Sequence, residues 1–144
     1  MKTTETAVPR LGVGAVIRND RGETLMVLRN REPEKDTWSI PGGKVDLYET
    51  MEHGIVREIK EEVNLDIAVT GVLCTAETIR PEKKEHWASV IYEAVIVGGE
   101  LRNMEEGGAI GAMKWFPLNH LPDKLASFTV AAVEALKRRE LAGD

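Results

Sequence analysis

The sequence predicts an α/β domain in which a mixed sheet is covered by helices, and three observations carry that expectation. Residues 49–63 contain no proline and repeat Met51, Ile55 and Ile59 every four residues, which is a helical period. Runs rich in β-branched residues stand on both sides of that stretch. A second helical stretch, 124–141, closes the chain. A chain of 144 residues suits one domain with one core, so 1–144 reads as a single domain with 1–9 as a loose lead-in.

The elements follow in order. Residues 13–17 form a short apolar run, and Asn19, Asp20, Arg21 and Gly22 carry turn chemistry. Residues 24–29 are apolar again, so the two runs read as a hairpin. The charged stretch 30–36 reads as a loop, and 38–43 as a short extended piece ending in Pro41 and paired glycines. After the first helix, Asn64 stands where a left-handed residue commonly ends one. Residues 66–78 and 87–97 read as strands, Gly98–Gly99 as a turn, and 114–116 as a last short strand stopped by Pro117. Pro122 precedes the final helix, whose Leu125, Phe128, Ala132 and Leu136 share a face.

Composition excludes several classes. The hydrophobic fraction of 42% and charged fraction of 30% are ordinary for a folded soluble domain. A net charge of -5 argues against a dedicated nucleic-acid binder, which shows a basic face. It leaves phosphate substrates open, because a bound metal supplies local positive charge. No window approaches a membrane span, and residues 1–10 lack the apolar centre of a secretory leader. Cys74 is the only cysteine, so no internal disulfide forms and a cytoplasmic, reducing setting is expected. Cys74 itself reads as a small apolar strand residue.

Chemistry concentrates on the first helix. Glu58, Glu61 and Glu62 stand at i, i+3 and i+4, within about 100° of helix circumference. Like charges at this spacing repel by a few tenths of a kcal/mol each, and a cation between them reverses that sign. Hard divalent ions with oxygen ligands are the natural candidates. The plainer reading is a solvated acidic face, with Arg57 and Lys60 as partners.

The surroundings decide between these readings. Gly43, five residues, Glu49, seven residues, then Arg57-Glu58-Ile59-Lys60-Glu61-Glu62-Val63-Asn64-Leu65 resembles the Nudix box, G-x5-E-x7-R-E-U-x-E-E-x-G-U with U apolar. Only the last glycine departs, replaced by Asn64, which tolerates positive φ better than most residues. Tyr48 stands where many members carry glycine. Trp38 to Val45 is similar to the family's approach to the helix. Trp115-Phe116 with Leu121-Pro122 is similar to its closing segment, and 86–89 to a segment of the MutT-like, triphosphate-cleaving branch.

The resemblance implies an α/β/α sandwich around a central mixed sheet and a Mg²⁺-dependent pyrophosphohydrolase, with Mn²⁺ as an alternative metal. By matched position, Glu58, Glu61 and Glu62 become metal ligands together with the Gly42 carbonyl. Arg57 would hold Glu58 in place. Glu58, with Glu61 as alternative, would take the proton from the attacking water. Gly43 and Glu49 belong to the motif, with Glu49 either at the helix start or a direct ligand. Many relatives place a further acid before the last strand; here Glu105 or Glu106, on a glycine-rich loop, would have to swing in, or else remain exposed.

Arg29, Lys44, His86 and Trp87 are candidate substrate contacts, with Trp115 and Phe116 as further aromatics for base stacking. Their plain readings are solvated cations, a strand-start histidine and core aromatics. The expected reaction converts a nucleoside triphosphate to monophosphate and pyrophosphate. Cleavage of ADP-ribose or a nucleoside diphosphate sugar is the enzymatic alternative, and a nucleotide-binding module without turnover the non-enzymatic one. The partner expected is a small nucleotide, not nucleic acid or membrane; a homodimer is compatible with the resemblance.

Overall fold

The computed structural model describes residues 8–32 and 34–143. Residues 1–7 of the expected lead-in lie outside the described residues. The elements are β1 (Arg10–Ile17), β2 (Thr24–Arg29), β3 (Trp38–Ser39), β4 (Gly42–Lys44), α1 (Met51–Val63), β5 (Leu65–Arg80), β6 (Glu85–Gly99), β7 (Ile110–Phe116) and α2 (Ser127–Leu141).

One sheet has the order β4-β1-β6-β5 and is mixed, because β1 and β6 run parallel while the other pairs are antiparallel. A second sheet, β3-β2-β7, is antiparallel. Helices cover both sides of the sheet layer, as the sequence predicts.

The buried pattern explains this layering. Val13, Ala15 and Ile17 of β1, with Leu25 and Val27 of β2, pack in one cluster with Ile55, Ile59 and Val63 of α1. The alternate residues Val16 and Met26 turn to the other side and meet Ala132, Val133 and Leu136 of α2. Burying each of the larger α1 side chains contributes about 1.5–3 kcal/mol. Strands covered on both faces read as continuous apolar runs, which is how these two look in sequence.

That double coverage corrects the hairpin expectation. A tight turn does join β1 to β2, with Gly22 N–H donating to Asn19 O at 2.9 Å, and Arg18 bridges Thr24. Beyond that bridge the strands part into different sheets. Other bounds also shift. The first helix begins at Met51 rather than Glu49, because Thr50 caps it by accepting from His53 N–H at 3.1 Å. Gly98 and Gly99 do not form a free turn; they pair with Asp66 and Leu65 at the end of β6. The last strand is longer than expected, and α2 starts at Ser127 rather than residue 124.

Two links hold the segment that leads to β4. The Thr129 hydroxyl of α2 is fully buried, accepts from Ile40 N–H at 3.0 Å and lies 3.0 Å from Ser39 Oγ. Ala15 N–H donates to Pro41 O at 3.0 Å. Gly42 therefore leaves a fixed point on the sheet. Among the described residues no helix is long and apolar enough to cross a membrane.

Candidate functional site

The site begins in the turn before α1. Tyr48 has φ 70 and is 96% exposed, so a non-glycine residue occupies the left-handed region there. This turn lets Glu49 fold back. Its Oε1 accepts from Asp46 N–H and Arg57 Nη2 at 2.9 Å each, and its Oε2 lies 2.7 Å from both Arg57 Nε and His53 Nδ1. Those contacts use the lone-pair positions of a carboxylate. Glu49 thus anchors the helix start and Arg57, and Arg57 above all holds its carboxyl well below the usual range.

Arg57 is the hub. Besides the two bonds to Glu49, Nη1 donates to Glu58 Oε2 at 3.2 Å and to Glu61 Oε1 at 3.0 Å, and Nη2 to Lys44 O at 3.0 Å. Five bonds match the five N–H donors of a guanidinium. Its pKa is raised, first by Glu49 and then by Glu58.

The three helix acids sit in different surroundings. Glu61 is exposed and turned to Arg57. The Glu58 side chain is 19% exposed, and burial pushes its carboxyl up against the opposing pull of Arg57. Its carboxylate lies directly over Gly43, where a Cβ would overlap it. Glu62 points inward and accepts from Gly42 N–H at a long 3.3 Å. Burial pushes Glu62 up to about 8, with Glu58 and Glu105 adding to the rise and Gly42 and Arg29 opposing it.

Among the described residues no three acidic, histidine or cysteine side chains converge on one point that would hold a metal. Arg57 draws Glu61 outward while Glu62 turns in, and that division explains the separation. The donors nonetheless suit a hard divalent cation. All are oxygens, the half-buried Glu62 carboxyl accepts only a long bond from Gly42 N–H among the described hydrogen bonds, and Glu61 is exposed beside Arg57. The Gly42 and Gly43 backbone, with no side chain in the way, borders the same space.

That space is the floor of a cleft of about 690 Å³, within the range of small-molecule sites. Gly42, Gly43 and Glu62 line it together with Arg29, Lys44, His86 and Trp87, so the sequence-nominated substrate contacts do share one cavity. Glu58 and Glu61 do not line it; the Glu58 carboxyl lies against Gly43 at its edge, and Glu61 faces Arg57. Phe116 is buried in the core and Trp115 packs against it, so neither aromatic reaches the cleft. Cys74 is half-buried against the α2 cluster, and burial raises its thiol.

Sequence reasoning missed several residues of the cleft. Arg10 stacks over Trp87 at 5.7 Å from the ring centroid. Phe128 of α2 forms a wall beside Gly14, and Ser39, Thr78 and Ser89 add hydroxyls. Lys83, Lys84, Arg80, Glu34 and Glu85 close the far end. The basic residues in this acidic chain were the available signal, but they are scattered in sequence.

Glu105 and Glu106 are exposed. The segment before them is tied to the end of α1, through Glu100 N–H to Asn64 O, Arg102 N–H to Val63 O and Met104 N–H to Glu62 O at 2.9–3.1 Å. These bonds satisfy carbonyls that a helix end leaves open. They also bring Glu105 close enough to raise Glu62, while its Oε1 accepts from Gly107 N–H at 2.7 Å. Asn64 has φ 63, as its place at the helix end predicts, and its Nδ2 donates to Glu100 O at 2.9 Å.

A family model described as NUDIX domain matches residues 8–136. The chain is 34% identical over 118 residues to an ADP-ribose pyrophosphatase of Methanocaldococcus jannaschii, covering 82% of this chain and 67% of that protein. It is 28% identical over 119 residues to an 8-oxo-dGDP phosphatase of Mus musculus, covering 81% of this chain and 35% of that one. The chain thus spans about a third of the mouse relative's length. The crystal structure of a MutT NUDIX hydrolase from Burkholderia pseudomallei superposes with TM-score 0.84 at 38% identity, covering 90% of this chain and 98% of that one.

Proposed function

This chain belongs to the Nudix hydrolase family, enzymes that act on pyrophosphate bonds, and on that premise we propose that it hydrolyses the diphosphate linkage of a nucleoside diphosphate derivative with a divalent metal. One observation carries the reading: the carboxylate of Glu62 and the Gly42–Gly43 backbone lie at one end of a cleft whose remainder is lined by aromatic, hydroxyl and basic groups. Such a cleft holds an anionic linkage at its acidic end and an organic group beyond it.

The metal would be held by Glu58, Glu61, Glu62 and the Gly42 carbonyl, with Mg²⁺ as the expected ion and Mn²⁺ as a substitute. When bound it supplies positive charge against the phosphate oxygens and acidity to water. Glu58 is the candidate base: it is half-buried beside Arg57, and partial burial raises its carboxyl above the ordinary value against the pull of that guanidinium. Arg57 keeps Glu58 ionisable and oriented, and is itself held by Glu49. Lys44 and Arg29 lie on the cleft wall where they meet phosphate oxygens. Trp87 and His86 offer an aromatic face and a polar edge to the organic group.

The ADP-ribose pyrophosphatase relative supports a derivative of the type X-P-P-Y. The second reading, a triphosphate cut to monophosphate and pyrophosphate, is supported by the likeness to a MutT hydrolase. The test is a Mg²⁺-dependent hydrolysis panel of nucleoside triphosphates, ADP-ribose, nucleotide sugars and dinucleoside polyphosphates, with products separated by chromatography. AMP plus ribose 5-phosphate supports the first reading and pyrophosphate the second. Nucleotide binding without cleavage of any compound would move the assignment to a binding module.

A further inference from the structure

β3 belongs to the second sheet and β4 to the first, so Ile40 and Pro41 carry the chain from one sheet to the other. Ala15 N–H bonds Pro41 O and Val45 N–H bonds Leu11 O, which makes Gly42 and Lys44 the non-hydrogen-bonded positions of the antiparallel β1–β4 pair. Their peptide groups therefore face away from β1. Gly42 N–H meets Glu62 and Lys44 O meets Arg57, as that orientation requires. The Gly42 carbonyl faces outward along the same edge. Below it the fit is tight: a Cβ at residue 42 would overlap Val13 O and Gly14 Cα.

Where that carbonyl stands depends on what holds the crossing. Ile40 is buried and belongs to neither strand, and two hydroxyls stand in for a ladder. Thr129 Oγ1 accepts from Ile40 N–H at 3.0 Å, and Ser39 Oγ donates to Ile40 O at 2.9 Å. The two hydroxyl oxygens lie 3.0 Å apart. Ser39 has given its proton to Ile40 O, so Thr129 is the donor between them. Thr129 thus both accepts and donates, at 0% exposure, and it does not line the cleft.

The start of α2 is fixed without this hydroxyl. Trp38 N–H donates to Lys124 O at 2.8 Å, Ala126 N–H to Trp38 O at 2.9 Å, and Ser127 N–H to Glu34 Oε1 at 2.9 Å. Loss of the Thr129 hydroxyl therefore frees the crossing and not the helix.

We propose that Thr129 is a positioning residue for the acidic end of the cleft: through Ile40 and Pro41 it sets where the Gly42 carbonyl stands. This rests on the hydrolase reading, in which that carbonyl is a metal ligand. The competing account is a hydroxyl that only stabilises the core.

Two substitutions separate these accounts. Thr129→Val keeps the volume and removes the hydroxyl; Thr129→Ser keeps the hydroxyl and removes a buried methyl. Both should lower the melting temperature. Only Thr129→Val should weaken Mn²⁺ binding to the nucleotide-free protein, by about tenfold in an electron paramagnetic resonance titration. Its kcat should fall by a similar factor with KM for the nucleotide little changed. Its Ile40 amide should lose protection from hydrogen exchange while the α2 amides keep theirs. Thr129→Ser should retain wild-type Mn²⁺ affinity and kcat. Unchanged Mn²⁺ affinity in Thr129→Val overturns the proposal, as does a loss that both variants share in step with their melting temperatures. A wild type that binds Mn²⁺ but cleaves no pyrophosphate compound sinks the hydrolase reading, and the affinity comparison still decides the role of Thr129. A wild type that binds no Mn²⁺ sinks both.

Discussion

Replacing Gly43 by alanine should disable the acidic end of the cleft while leaving the fold in place. A Cβ at residue 43 falls within 3.0 Å of the Glu58 carboxyl carbon and both its oxygens. The backbone cannot retreat cheaply, because Gly43 is paired with Val13 in a strand whose neighbour β1 is buried on both faces. Glu58 must therefore swing away and give up its 3.2 Å bond to Arg57. One charge-assisted bond at a partly exposed site plus a poorer rotamer amounts to about 1–2 kcal/mol of stability. The effect on catalysis is larger, since a positioned base contributes about 10²–10⁴-fold. Steady-state hydrolysis at saturating Mg²⁺ should show kcat reduced at least about 100-fold, with KM changed much less. The double variant Gly43→Ala, Glu58→Gln should be no worse than Glu58→Gln alone, because both remove the same group. Turnover by Gly43→Ala within a few fold of wild type would refute the reasoning, since Glu58 would then have no need of its place over Gly43.

Other expectations follow from the same geometry. Arg57→Lys keeps a charge but loses the fork that grips Glu49, so kcat should fall more than KM changes, and Glu49→Gln in that background should add little. Asn64→Gly should be near neutral in a thermal melt, because relief at φ 63 offsets the lost bond to Glu100; Asn64→Ala loses both and should cost about 1–2 kcal/mol. Glu62, at about 8 in the metal-free protein against an ordinary 4.5, is protonated in the folded chain and ionised in the unfolded one between those values. Its contribution is therefore full below pH 4.5 and lost as pH rises to about 8, with a slope near 1.4 kcal/mol per pH unit between. Melts in chelator from pH 5 to 9 should show wild type losing stability relative to Glu62→Gln; parallel curves would contradict the burial of that carboxyl. Metal affinity should rise over the same window, because the ion displaces a proton.

Much of α1 was legible because it is local. Period-four apolar residues and Asn64 at the end are short-range signals that the structure follows, whereas the cap at Thr50, which moves the start from residue 49 to Met51, went unread. The hairpin expectation failed because a turn fixes only the bridge of Arg18 with Thr24. Which sheet each strand then joins depends on burial on both faces, and a continuous apolar run does not encode that. The motif placed Gly42, Gly43 and the acids together, but not that Glu61 would lean on Arg57 while Glu62 turned inward. The far end of the cleft was invisible for a different reason. Arg80 meets Glu34 across 46 positions and Glu34 meets Ser127 across 93, with no periodicity to link them.

The central claim is that the acids of α1 carry out metal-dependent cleavage of a nucleotide diphosphate linkage. Its most direct test compares wild-type and Glu61→Gln protein over the hydrolysis panel, with and without Mg²⁺, alongside thermal melts. The account predicts Mg²⁺-dependent cleavage of at least one compound by the wild type. The variant should retain the wild-type melting behaviour and lose turnover by about two orders of magnitude or more. Metal-independent cleavage, or a variant as active as the wild type, would contradict it.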